Sequence, residues 1–355
     1  MALIGGTHGG THGGTHGGTH GGTHGGTHGG THGDMHAGGP PSAMLSAALA
    51  ITHDALGGPW TGIVGKVHAL PKAADTLDYL SPERRLQILG GELSSRLSVV
   101  QAGTGAALRL DGRPICTLAR PTDTDFAGQL DLVRTYADLR DDRIPEILVQ
   151  MSDILSFFGA LAPLNPWRRV KTASLLTLTQ MLAIGLEQQI KHYCLSRRPA
   201  DLSAQVQPII QTPDHSTFPS GHATEAFALA TVLHRLMTGD DVATAMSAGV
   251  PPMPFRLAHR IAVNRTVAGV HFPVDSAAGA VLGCTLGEAI VALGTGGSAT
   301  VRDFAVGNGA ADFKAEDDFT HAWAAGKLKT APAPLATAAA PLFAQLWDGA
   351  VKEWG

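Results

Sequence analysis

Apolar residues recur every three to four positions through most of the chain after residue 127, the spacing of helices with one buried face. This periodicity predicts helices over 129–139, 143–161 and 172–196, with Pro145, Pro163 and Pro166 between them and Pro199 limiting the last. Two more helices are expected at 221–236 and 273–293. Upstream, the Ala- and Leu-rich stretch 42–52 also reads as helix. Leu77, Leu80, Leu86, Leu89 and Leu93 extend that reading over 75–99, with a break at Gly90-Gly91. The clear strand signal is confined to 106–118. There Leu108-Arg109-Leu110 alternates ahead of Asp111-Gly112, the mark of a β-hairpin. An Ala/Pro linker at 330–341 leads to Leu342, Phe343, Leu346, Trp347 and Val351, an amphipathic helix expected to pack back on the rest. The expected fold is all-α, a helical bundle with a small β-hairpin in its N-terminal half.

Residues 5–33 follow a different rule, Gly-Gly-Thr-His with a period of four. The tract is half glycine and carries no apolar residue, so it has no core with which to offset its backbone entropy. The first expectation is a flexible tail. A second is exchangeable binding of nickel, copper or zinc at His8, His12, His16, His20, His24, His28 and His32, because neutral imidazole ligates those ions. A third is self-association of the repeats, compatible with a homo-oligomer. The expected organisation is therefore 1–41 repeat tail, 42–150 helical region with hairpin, 151–295 core, and 296–355 C-terminal segment packing on that core.

Composition narrows the function. The chain has 355 residues, 44% hydrophobic and 16% charged, and a net charge of −4 with His neutral. That lacks the basic footprint of a nucleic-acid binder, so no nucleic-acid partner is expected. Lys191, Arg197, Arg198, Arg256, Arg260 and Arg265 instead gather around a few motifs. Cys116, Cys194 and Cys284 have no paired spacing, which argues against a disulfide framework or thiolate zinc site and for a reducing compartment. The uncharged stretch 172–186 falls short of the roughly 20 apolar residues of a membrane span. Met1-Ala2-Leu3-Ile4 is too short for a secretory leader. The chain reads as soluble, without a transmembrane span, and cytoplasmic unless a leader was removed.

Three motifs carry the candidate chemistry. Lys191 and Arg198 stand seven residues apart, close to two helical turns, so both heads are expected on one side of a helix C-terminus. They suit a phosphate, and equally they complement the negative end of a helix. Pro219-Ser220-Gly221-His222 precedes an apolar helical run. That arrangement puts backbone N–H groups and the Ser220 hydroxyl at a positive helix end, although Ser220 also serves as a plain N-cap. His222 in that first turn suits proton donation to a leaving group. In the third motif Arg265 precedes His271 by six positions, and Asp275 follows four later. Proline at 273 starts a helix, bringing Asp275 within reach of the His271 ring, where a carboxylate fixes one tautomer and leaves the other nitrogen to attack. Asp275 also suits the helix dipole. His53, His68, His192, His234, His259 and His321 lack ligand spacing, and His215 is at most a supporting contact.

In this order the motifs resemble the superfamily that contains type-2 phosphatidic acid phosphatases, bacterial acid phosphatases and vanadium-dependent haloperoxidases, over roughly 151–295. The resemblance implies a helical bundle of the acid phosphatase/haloperoxidase type. It casts His271 as the nucleophile forming a phosphohistidine, Asp275 as its orienting group and His222 as acid/base. Lys191, Arg198, Ser220, Gly221 and Arg265 would bind the oxygens. Asn264 stands where the family usually has Ser, which touches a supporting contact. The resemblance implies a metal-independent phosphatase without cofactor, hydrolysing a phosphoric ester or pyrophosphate in a small phosphorylated substrate, and the short intervals between motifs favour that branch. The alternative is a haloperoxidase using vanadate, peroxide and halide. A third reading makes the repeats the functional part and the pocket vestigial.

Overall fold

The computed structural model describes residues 43–57, 76–164, 168–307, 309, 312–330 and 334–355. The Gly-Gly-Thr-His tract, with its metal-binding and assembly readings, lies outside the described residues, as does Pro166. Two units divide at Gln87 and Ile88. In the first, α1 (Ala43–Leu56) buries none of its residues, and the turn at 76–80 is tied by Arg85, whose Nε donates to the Leu77 carbonyl at 2.8 Å.

Helix α2 (Pro82–Ser94) crosses the division and runs unbroken through Gly90-Gly91, so that pair ends no helix. The second unit opens with a correction to the hairpin. Three antiparallel strands, β1 (Leu97–Ala102), β2 (Gly105–Leu110) and β3 (Arg113–Leu118), form a meander in that order. Residues 97–99, expected at the end of a helix, are strand instead. Val99 and Val100 are β-branched, and β1 pairs residue for residue with β2 from Leu97↔Leu110 to Ala102↔Gly105.

The rest is mostly helical: α3 (Asp123–Gly128), α4 (Leu130–Tyr136), α5 (Arg140–Gln150), α6 (Leu155–Leu161), α7 (Val170–Cys194), α8 (Pro199–Leu202), α9 (Gly221–Thr238), α10 (Val242–Ser247), α11 (Met253–Val267) and α12 (Pro273–Thr295). A two-stranded ribbon of β4 (Ser298–Thr300) and β5 (Pro334–Ala336) flanks α13 (His321–Leu328), and α14 (Pro341–Lys352) follows. The expected helix over 143–161 is two helices. Pro145 sits inside α5 without ending it, and the break falls at 151–154, where the Asp153 carboxylate accepts the Ser156 N–H at 2.9 Å and starts α6.

The core is organised by α9 lying along α12. Glycines on α12 allow the approach: a Cβ at 279 would stand 2.7 Å from the Ser220 carbonyl oxygen, and one at 283 only 2.4 Å from that of Thr224. This contact joins the starts of the two helices, and the Ser220 N–H donates to the Asp275 carbonyl at 2.9 Å. Helix α12 is long and apolar enough to cross a membrane, with a mean hydropathy of 1.7, contrary to the expectation that no such stretch exists. Its most apolar window is 94% buried inside the protein, so its apolar surface is spent on packing.

The C-terminus is clipped on by helix-end chemistry. The Glu353 carboxylate accepts the N–H groups of Lys171 and Thr172 (2.8 and 2.9 Å), which open α7. Glu92 does the same for Leu342 and Phe343 of α14 (3.0 and 2.8 Å). First-turn amides have no partner within their own helix, so each carboxylate satisfies two donors and meets the positive end of the dipole.

Candidate active site

Lys191 and Arg198 do not share a helix. Helix α7 ends at Cys194, Leu195 turns left-handed (φ 44°), and Arg198 stands in extended backbone just ahead of Pro199. The two heads meet on the segment before α9. Lys191 Nζ donates to the carbonyls of Ser216, Thr217 and Pro219 (3.0, 3.2 and 2.6 Å), and Arg198 Nη2 reaches the Ser216 carbonyl at 3.3 Å. Arg198 also donates to the carbonyls of His215 (3.1 Å) and Val270 (2.8 Å) and to His215 Nδ1 (3.1 Å). Arg197 and Arg260 pair elsewhere, with exposed Asp123 and half-buried Glu146, so the cluster of cations read from the sequence only partly converges.

Ser220 is the N-cap of α9, its hydroxyl accepting the Ala223 N–H at 3.4 Å. The first-turn amides of Gly221 and His222 have no acceptor within the helix. Gly221 packs against Glu187: a Cβ there would sit 2.9 Å from the Glu187 carboxylate, which lies 3.7 Å from Lys191 Nζ.

His271 and Asp275 form the centre. Asp275 Oδ2 lies 3.0 Å from His271 Nδ1 and accepts the Thr217 hydroxyl (2.6 Å) and the Phe272 N–H (2.9 Å). On the far side of the ring, Arg198 Nη1 stands 3.1 Å from Nε2. A guanidinium only donates and an ionised carboxylate only accepts, so the proton belongs on Nδ1 and the Nε2 lone pair faces the cations. Burial first, then Arg198 and Lys191, holds the His271 pKa well below the ordinary imidazole range. Burial raises Asp275 to about 6 against the hydrogen bonds from Thr217 and Phe272. Burial also lowers Lys191 to about 8, opposed by Glu187, and Arg198 to about 10.

Arg265 and His222 belong to a second cluster around Gln150, at the end of α5. Arg265 Nη2 donates to the Ile147 carbonyl and to Gln150 Oε1, both at 3.2 Å, while its Nε and Nη1 are buried without a partner. His222 Nε2 lies 2.9 Å from the Gln150 carbonyl oxygen. The clusters are electrically joined, because His222 is among the groups depressing the His271 pKa. Sequence reasoning missed Thr217, Glu187 and Gln150. Thr217 stands three residues before Ser220 and was open to suspicion, but nothing in the local sequence marks Gln150.

Buried cations surround a carboxylate-held imidazole near the N-terminus of α9, an arrangement chemically suited to a tetrahedral oxyanion. Residues 172–295 match the PAP2 superfamily model, and the chain belongs to that superfamily. It is similar to decaprenylphosphoryl-5-phosphoribose phosphatase of Mycobacterium tuberculosis, at 32% identity over 143 residues, 40% of this chain and 71% of that protein. The same match is found in strains CDC 1551 / Oshkosh and ATCC 25618 / H37Rv. Family and relative together support phosphatase chemistry.

Proposed function

We propose that this chain is a metal-independent phosphate-monoester phosphatase that works through a phosphohistidine at His271. The observation that carries the reading is the polarity of that ring, with Nδ1 on Asp275 at 3.0 Å and Nε2 turned to Arg198 at 3.1 Å. When a phosphate ester enters, Arg198 Nη1 turns from Nε2 to a phosphoryl oxygen, Arg265 and the α9 amides take the others, Lys191 adds positive charge from its carbonyl anchors, and the freed Nε2 attacks phosphorus. The N–P bond forms as the P–O bond to the alcohol breaks, and the leaving oxygen takes a proton from His222. Asp275 stabilises the positive charge on the ring. Water then attacks phosphorus, giving up a proton to His222, and the N–P bond breaks to release phosphate. Cations and backbone donors hold the anion throughout, so the reading calls on no metal or other cofactor.

For the substrate we propose a small phosphate monoester, with decaprenylphosphoryl-5-phosphoribose, named in the relative, as the first lipid-linked compound to try. The test is hydrolysis of an aryl phosphate by EDTA-treated protein. Turnover that survives EDTA, is blocked by vanadate and is lost in His271→Ala is expected. Full turnover in that variant would overturn the reading.

A further inference from the structure

We infer that Gln150, outside all three motifs, is an additional anion-binding residue of this site, its side-chain amide donating to a phosphoryl oxygen; the inference rests on the phosphatase reading. The hydrogen bonds around it fix which way its amide points. Arg143 Nη1 donates to Asn264 Oδ1 at 2.9 Å, so Asn264 must present Nδ2 on its other side. That Nδ2 donates to Glu146 Oε2 and to Gln150 Oε1, both at 3.0 Å. Arg265 Nη2 donates to the same Oε1 at 3.2 Å. Two donors on one atom identify it as the oxygen, which leaves the Gln150 NH2 turned away from both.

That NH2 has no partner, although Gln150 is only 1% exposed. Arg265 Nε and Nη1, on the same network, are buried and unpartnered as well. A buried donor without an acceptor is destabilising, and here three belong to two hydrogen-bonded side chains. Donors without acceptors call for a ligand that only accepts, and a phosphoryl group is one. The Gln150 carbonyl oxygen meanwhile meets His222 Nε2 at 2.9 Å, so one residue contacts both the proposed acid and the proposed oxygen binder. Asn264 gains a purpose from this geometry: in place of the usual Ser it offers an amide whose second hydrogen reaches Gln150.

Inorganic phosphate binding, measured by calorimetry on the full chain, tests the inference with Gln150→Glu and Gln150→Met. Gln150→Glu keeps an oxygen for Asn264 and Arg265 but turns the donor into a negatively charged acceptor, whereas Gln150→Met removes oxygen and donor without adding charge. Each is expected to weaken phosphate binding roughly 10- to 100-fold, the loss of a hydrogen bond to a charged group. Gln150→Glu should recover part of that loss as pH falls and its carboxyl takes a proton, and Gln150→Met should not. Binding within twofold of wild type in both variants overturns the inference. So does wild-type binding in Gln150→Glu alone, which would make Gln150 an anchor for Arg265 and nothing more. A wild-type chain that binds neither phosphate nor vanadate would bring down the phosphatase reading itself, and the inference with it.

Discussion

The two halves of the site differ in how their donors are satisfied. Around His271, Arg198 and Lys191 spend their N–H groups on the carbonyls of Ser216, Thr217, Pro219, His215 and Val270. Around Gln150, Arg265 leaves two nitrogens, and Gln150 a third, without any acceptor. The first half is complete as folded, so its cations also hold the chain together. The second leaves buried donors that, on the proposed reading, an anion would complete. One site thus contains residues that stabilise the fold and residues that the fold tolerates for function.

The strongest way to break this picture is His271→Ala, expected to lower kcat by about 10⁴-fold or more, as loss of a nucleophile does. Steady-state hydrolysis of an aryl phosphate reads it. A sharper test sets Arg265→Met against Arg198→Met. Both should lose about 10²- to 10³-fold in kcat/KM by removing an oxyanion donor. Their stabilities should differ. Arg198→Met strips donors from several buried carbonyls and should lower stability by about 2–3 kcal/mol. Arg265→Met deletes two unpaired donors along with the two Nη2 hydrogen bonds, so the losses and gains offset and stability should fall by about 1 kcal/mol or less. Urea melts of both variants falling equally would erase the distinction.

The pairing of the halves depends on α9 lying against α12. Gly283→Ala puts a methyl 2.4 Å from the Thr224 carbonyl oxygen and should destabilise by about 1–3 kcal/mol, read by thermal melting. The smallest effect concerns Glu225 on α9, which accepts the Gln180 amide at 2.9 Å and is pushed up by burial to about 8. A carboxyl whose folded pKa is raised favours folding fully below its ordinary value, near 4.5, and loses that contribution as pH rises through 8. Glu225→Gln should therefore gain about 1–2 kcal/mol relative to wild type at pH 8 and little at pH 4.5. Denaturant melts at the two pH values check it; a gain of equal size at both would remove the titration from the explanation.

Much of this was legible in the residues. The helical periodicity located α7, α9 and α12, and His271 with Asp275 at four-residue spacing behind Pro273 anticipates their 3.0 Å contact. Lys191 and Arg198 were legible as a pair but not in their geometry. Their seven-residue spacing fits two helical turns, and nothing local reveals that Leu195 turns left-handed and ends the helix. The strand 97–102 was obscured by leucines that continue the helical spacing of α2, and only its pairing with β2 decides its state. Gln150 was illegible for a further reason. Its importance lies in an amide orientation set by Arg143 on its own helix and by Asn264 and Arg265 on α11, more than a hundred positions away in sequence. Long-range hydrogen bonding of that kind leaves no periodic trace.

The central claim is that His271 takes the phosphoryl group, and trapping that intermediate tests it most directly. Protein mixed with a ³²P-labelled phosphate monoester and quenched in base within milliseconds should carry an acid-labile label on His271, absent in His271→Ala. Sustained turnover with no label on the protein, or label on another residue, would contradict the account.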